Sequence, residues 1–191
     1  VSFFSLCDQD NSAMPTHILE NVGQIQPLRA LVLDASERAA AAMRKLLENQ
    51  PAMGALARMK FEELGFHPIE NRRLNLIEQV NQTFTYLVSF AASEDILARH
   101  PGSAPLHLNL GTSSGYDLVS PSQGVVAEVF AAVRRNNNRK LAKDVVKVDG
   151  SEAQHKYVYF HCPSEVPGVS HLERFPEVHL VALSAEAVWG A

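Results

Sequence analysis

Residues 124–133 read GVVAEVFAAV, a run of apolar and small residues around a single acid, Glu128. A continuous Val-rich run of this length, bounded by turn residues, predicts a strand covered on both faces. An ionised carboxylate is costly to bury unless a charge compensates it. The strand therefore raises the question of what faces Glu128.

The answer begins with the residues just before it. Pro121-Ser122-Gln123-Gly124 has turn chemistry, and GYDLVS (115–120) reads as a preceding strand. With Ser122-Gln123 at the turn centre, antiparallel pairing sets Val119 opposite Val126 and Asp117 opposite Glu128. Side chains alternate along strands, so the two acids emerge on one face. Like charges facing each other destabilise a hairpin, and a divalent cation between them reverses the sign. Mg2+ (or Mn2+) suits such a pair, with water and substrate phosphate completing its shell. The alternatives are an ordinary turn or edge residue for Asp117, and for Glu128 a salt bridge to Arg or Lys or a solvated edge position.

Further out, Leu106, Leu108 and Leu110 alternate with His107 and Asn109, predicting another strand, and HKYVYFHC (155–162) predicts one more. Val178 to Leu183 forms a further strand candidate after a loop containing Pro and Gly. Between the strands, NNNRKLAKDVVKV (136–148) reads as a helix with Leu141, Val145 and Val148 inward and an Asn cap at 136–138. Toward the N-terminus the period changes to helical. Leu28, Leu31, Val32, Ala35, Ala39, Ala42, Met43 and Leu46 mark a first helix, which Asn49-Gln50-Pro51 ends. Pro51 starts a second helix running to Leu64, with Gly65 as its C-cap. FHPIENRR (66–73) is a connector. A third helix runs from about Leu74 to Ala98, with Leu74, Ile77, Phe84, Leu87, Val88 and Ala91 on one face.

The expected organisation is a poorly ordered segment at 1–16, a helical region at 17–72 and an α/β core with a mixed sheet at 73–191. Met14 marks a candidate natural start. The chain has 191 residues and a formal net charge of −4, a balance unlike that of a protein that coats nucleic acid non-specifically. Arg134, Arg135, Arg139, Lys140, Lys143 and Lys147 nonetheless concentrate positive charge beside the acid pair, as a phosphate backbone requires. No apolar run is long enough to span a bilayer. The two isolated cysteines, Cys7 and Cys162, fit a reducing cytoplasm. The eight histidines show no tight ligand spacing, so His161 and Cys162 read as structural. GTSSG (111–115) is neither a nucleophile elbow nor a P-loop.

On its segment order and its acids, the chain resembles the PD-(D/E)XK nuclease-like (restriction endonuclease-like) superfamily. That core runs helix, three strands, helix, strand, matching residues of about 74–162 in order. The resemblance implies a metal-dependent nuclease acting on DNA phosphodiesters, with Asp117 and Glu128 as catalytic metal ligands and Glu78, from LIEQVNQ, as a third ligand. Tyr116 stands where the motif usually has Pro, and Phe130 where it has its catalytic Lys. In some members that lysine comes from the following helix, which implies Lys140 or Lys143 here. Arg134, Arg135, Arg139 and Lys147 would then position phosphates.

Simpler readings stand beside these. Glu78 lies in a polar helical stripe with Asn75, Gln79 and Gln82, and Arg139, Lys143 and Lys147 recur at i+4; both patterns suit solvated faces. The missing motif lysine favours a catalytically silent nuclease-fold module that binds nucleic acid or a protein partner. The mild acidity allows an oligomeric interaction domain, such as a homodimer.

Overall fold

A short strand, β1 (His17–Leu19), precedes the helices in the computed structural model, which describes residues 16–111, 115–122 and 124–190. The segment expected to be poorly ordered, residues 1–16, lies outside that range apart from Thr16, and so do Ser113 and Ser114. Helices α1 (Ile25–Asn49) and α2 (Ala52–Phe61) divide at Pro51, which holds the N-cap position of α2. Pro lacks the N–H that a helix interior needs, and at a helix start none is missed.

Gly65 does not cap α2, which ends four residues earlier. It opens β2 (Gly65–Phe66), paired with β3 (Arg73–Leu74) inside the stretch expected as a plain connector. Its backbone is not left-handed. Close approach is what requires glycine: a Cβ here would collide with Gln79 Oε1 and lie 3.3 Å from both Leu74 O and Leu76 Cδ2. Buried Gln79 ties three elements together, accepting from Phe66 N–H at 2.9 Å and donating to Ala35 O at 2.8 Å. Gly65→Ala is expected to displace that amide and cost about 1–3 kcal/mol, read by thermal or urea unfolding. A loss below about 0.5 kcal/mol would show that Gln79 gives way freely.

Helix α3 (Leu76–Arg99) begins after Asn75, whose side chain accepts from Glu78 N–H at 2.8 Å. Four strands and a helix follow: β4 (Leu106–Leu108), β5 (Leu118–Ser120), β6 (Val125–Ala131), α4 (Lys140–Asp149) and β7 (His155–His161). The chain closes with β8 (Gly168–Leu172), β9 (Phe175–Ala182) and α5 (Ala185–Trp189). The sheet order is β1-β4-β5-β6-β7-β9-β8. Pairs are antiparallel except β6–β7 and β7–β9, so this is a mixed α/β fold with a mostly antiparallel seven-stranded sheet. Besides β2 and β3, two strands of this sheet were not expected: β1, inside the region read as helical, and β8, whose residues are mostly exposed.

The layers follow from the alternation in β6. Val125, Ala127 and Val129 face α3, with Tyr157 and Tyr159 of β7, and α1 packs outside α3 through Ile25 and Val32. Val126 and Phe130 face α4, whose Leu141, Val145 and Val148 meet them with Val158 and Phe160. Both faces are covered, which is why the strand reads as an unbroken apolar run. In α3, Leu76 and Ile96 are buried and residues 86–93 are buried all round, the expected Leu87, Val88 and Ala91 among them. Leu74 belongs to β3 instead, while Ile77 and Phe84 are 44% and 40% exposed. Among the described residues, no helix is long and apolar enough to cross a membrane.

Helix α4 starts without the expected Asn side-chain cap. A 3-10 turn at Asn137–Arg139 leads into it, and Asn138 and Arg139 take left-handed φ values of 52° and 57°. Asn visits that region more readily than most residues, so the triplet bends the chain here and does not cap the helix.

Candidate functional site

The hairpin has the register that its turn chemistry predicts. Leu118 pairs with Ala127, Val119 with Val126 and Ser120 with Val125. One step beyond the ladder, Asp117 comes beside Glu128, and Asp117 Oδ2 accepts the Val129 N–H at 2.8 Å. The Asp117 carbonyl is held in turn by Asn109 N–H at 2.8 Å, and the Asn109 side chain donates to Tyr116 O at 2.7 Å. The acid is thus fixed from β4 and β6 together.

Glu128 is 3% exposed on the face that α4 covers, and its partner is Lys147, with Nζ 2.6 Å from Oε1. The salt-bridge alternative therefore describes the geometry of Glu128. Lys147 also donates to Gly115 O and lies over the Tyr116 ring. Two turns nearer the helix start, Lys140 donates to Asp144 Oδ1 at 2.8 Å. Asp144 is as buried as Glu128. Three acids and two lysines thus meet between the hairpin and α4.

Burial and the charge of Glu128 push the Asp117 carboxyl up to about 7, against the pull of the Val129 N–H, Lys140 and Lys147. Burial likewise raises Asp144, with Glu128 adding to it and the Lys140 hydrogen bond opposing. For Lys140 burial acts downward, but the hydrogen bond and charge of Asp144, with Asp117 and Glu128, outweigh it and leave the ammonium raised. With Asp117 protonated the remaining two acids balance the two lysines. Ionised Asp117 leaves one negative charge in excess, the condition that favours a cation.

Glu128 Oε1 and Asp144 Oδ2 are buried without a hydrogen-bond partner among the described residues; Lys147 meets the former as an ion pair. Asp144 Oδ2 is thus the oxygen left open to a hard cation such as Mg2+ or Mn2+, since the Lys147 ammonium already sits on Glu128 Oε1. Among the described residues, no group of three or more His, Cys, Asp or Glu is placed to hold a metal.

Of the residues singled out from the sequence, Asp117, Glu128, Lys140 and Lys147 come together. Lys143 is exposed and stays outside the cluster, while Lys147, expected only to touch phosphate, reaches Glu128. Glu78 is separated from both acids: it lies exposed in the first turn of α3, the helix on the opposite face of the sheet, bonded to Asn75 and Gln82. Arg134 and Arg139 are exposed around the β6–α4 loop, and Arg135 pairs with Glu165 at 3.3 Å. Phe130 is 3% exposed and stacks on Phe160 at 5.3 Å. Asp144 was overlooked, yet it interrupts the helical stripe Leu141, Val145, Val148 and was readable there as a second buried acid.

No family model, curated protein or solved structure matches the chain.

Proposed function

We propose that the chain is a metal-dependent nuclease-like protein acting on DNA phosphodiesters, with Asp117 and Glu128 holding Mg2+ or Mn2+. The observation that carries this reading is the placing of Asp117, held by the Val129 N–H, beside buried Glu128, with Lys147 on Glu128 and Lys140 on Asp144. Two acids that repel each other in isolation gain from a shared cation. When bound, the metal supplies Lewis acidity toward the phosphodiester and a more acidic water. Lys140 stabilises the negative charge that develops on phosphate, and Lys147 holds Glu128 in place. Arg134 and Arg139 supply exposed charge along the approach of the backbone. The order α3, β4, β5, β6, α4, β7 agrees with the order of the restriction endonuclease-like core. Glu78 has no part in the proposal. A cytoplasmic setting suits the free, buried Cys162.

Two observations favour a second reading, a nuclease-fold module without chemistry that binds nucleic acid or a protein partner. Phe130 fills the motif-lysine position, and Lys147 already compensates Glu128. Exposed Met53, Leu56 and Phe61 on α2 suit a homodimer or another protein contact.

Calorimetric titration of Mg2+ and Mn2+, beside cleavage of supercoiled plasmid, separates the readings. Under the first, the wild type binds metal and cleaves, and Asp117→Ala with Glu128→Ala abolishes both. Lys140→Ala then lowers cleavage roughly 100- to 1,000-fold with metal binding retained. Metal binding without cleavage favours the second reading, and a wild type that binds neither ion overturns the active site.

A further inference from the structure

Strands β6, β7 and β9 run parallel and end together. Ala132, Cys162 and Leu183 just beyond those ends, with Phe84 of α3 and Trp189 of α5, line a cleft of about 750 Å3. Open α/β sheets receive ligands outside the carboxyl ends of their strands, and small-molecule clefts typically measure roughly 300–1,000 Å3.

The walls are aromatic. Trp189 meets Phe84 edge-on at 5.4 Å and His161 at 4.6 Å. His161, which also lines the cleft, is 8% exposed, and its Nδ1 lies 2.9 Å from Leu183 O. A carbonyl only accepts, so Nδ1 carries the proton, and Nε2 of the neutral ring is an acceptor. No described residue donates to that nitrogen. The acid of the lining, Glu165, is neutralised by Arg135 at 3.3 Å. The cleft thus offers flat apolar walls, the acceptor nitrogen of a buried His161 and no uncompensated carboxylate.

We propose that this cleft binds a neutral, planar, largely apolar ring compound that donates one N–H or O–H hydrogen bond to His161 Nε2. The proposal is independent of the hairpin acids, which face the other side of the sheet.

The chain has one tryptophan, so 15N-labelled protein gives a single indole N–H cross-peak, at Trp189. Unlabelled indole supplies the donor on a flat ring, and benzofuran has nearly the same shape without it. Indole is expected to move the Trp189 cross-peak saturably and to bind roughly 3- to 10-fold more tightly than benzofuran, the worth of one net hydrogen bond. His161→Phe, which keeps a ring and removes the acceptor, is expected to erase that preference while both compounds still bind. No saturable shift with indole overturns the site. Equal binding of the two compounds by the wild type overturns the role of His161, whether or not the variant folds.

Discussion

Asp117→Asn is expected to stabilise the protein at pH 8 by up to about 4 kcal/mol and to change little at pH 4. The Asp117 carboxyl titrates near 7 in the folded chain against 3.8 for the free group. Between those values the folded state binds one more proton than the unfolded state. Stability from this group is therefore fully present below about pH 4 and is lost as pH rises toward 7. Asn keeps an oxygen for the Val129 N–H and carries no charge, so the variant should lack this slope. Urea unfolding of both proteins between pH 4 and 8 reads the effect; parallel curves would mean that Asp117 is not held protonated. Bound cation favours the carboxylate, so saturating Mn2+ should flatten the wild-type profile and leave the Asn variant unmoved. That ties the proton to the proposed metal in one measurement.

Placing a lysine at Phe130, where the resemblance to the nuclease-like superfamily would expect one, is expected to cost about 3–5 kcal/mol, the range for losing a buried Phe from a packed core. The substitution removes the Phe130–Phe160 stack and brings an ammonium into the cluster of Val126, Leu141, Val145 and Val158. For a chain of this size the melting temperature should fall by roughly 10 °C. Val133→Lys on the next segment, where the side chain is 74% exposed, should stay within about 0.5 kcal/mol. A Phe130→Lys protein as stable as the wild type would show that packing does not exclude lysine here.

The hairpin was legible because its information is local. Pro121 and Gly124 fix the turn, the turn fixes the register, and the register brings Asp117 to Glu128. The long helices were legible from their period, which α1 keeps as one buried stripe, while α3 is buried all round over residues 86–93. What failed depended on distant partners. Gly65 looks like a helix stop in sequence, yet Gln79, fourteen residues on, is what requires it. Glu78 could be assigned to a helix face but not to a face of the sheet, and α3 covers the wrong one. Helical spacing made Lys143 and Lys147 equivalent, and only the placement of α4 against β6 distinguishes them. Strand β1 is three residues long and β8 is mostly exposed, so neither carries enough alternation to be seen.

The pairing of β1 with β4, from His17 opposite Leu108 to Leu19 opposite Leu106, sets a limit on how the chain can be divided. A cut near residue 73 follows the expected division into a helical region and an α/β core, but it removes a strand from the sheet. The shortened piece would present the backbone N–H and C=O groups of β4 as an open template for strands of other molecules. It would also lose Leu19, 2% exposed, from the cluster that seals α3 to the sheet. The helical region is therefore part of what keeps the acid-bearing hairpin soluble, and fragments that omit it invite aggregation.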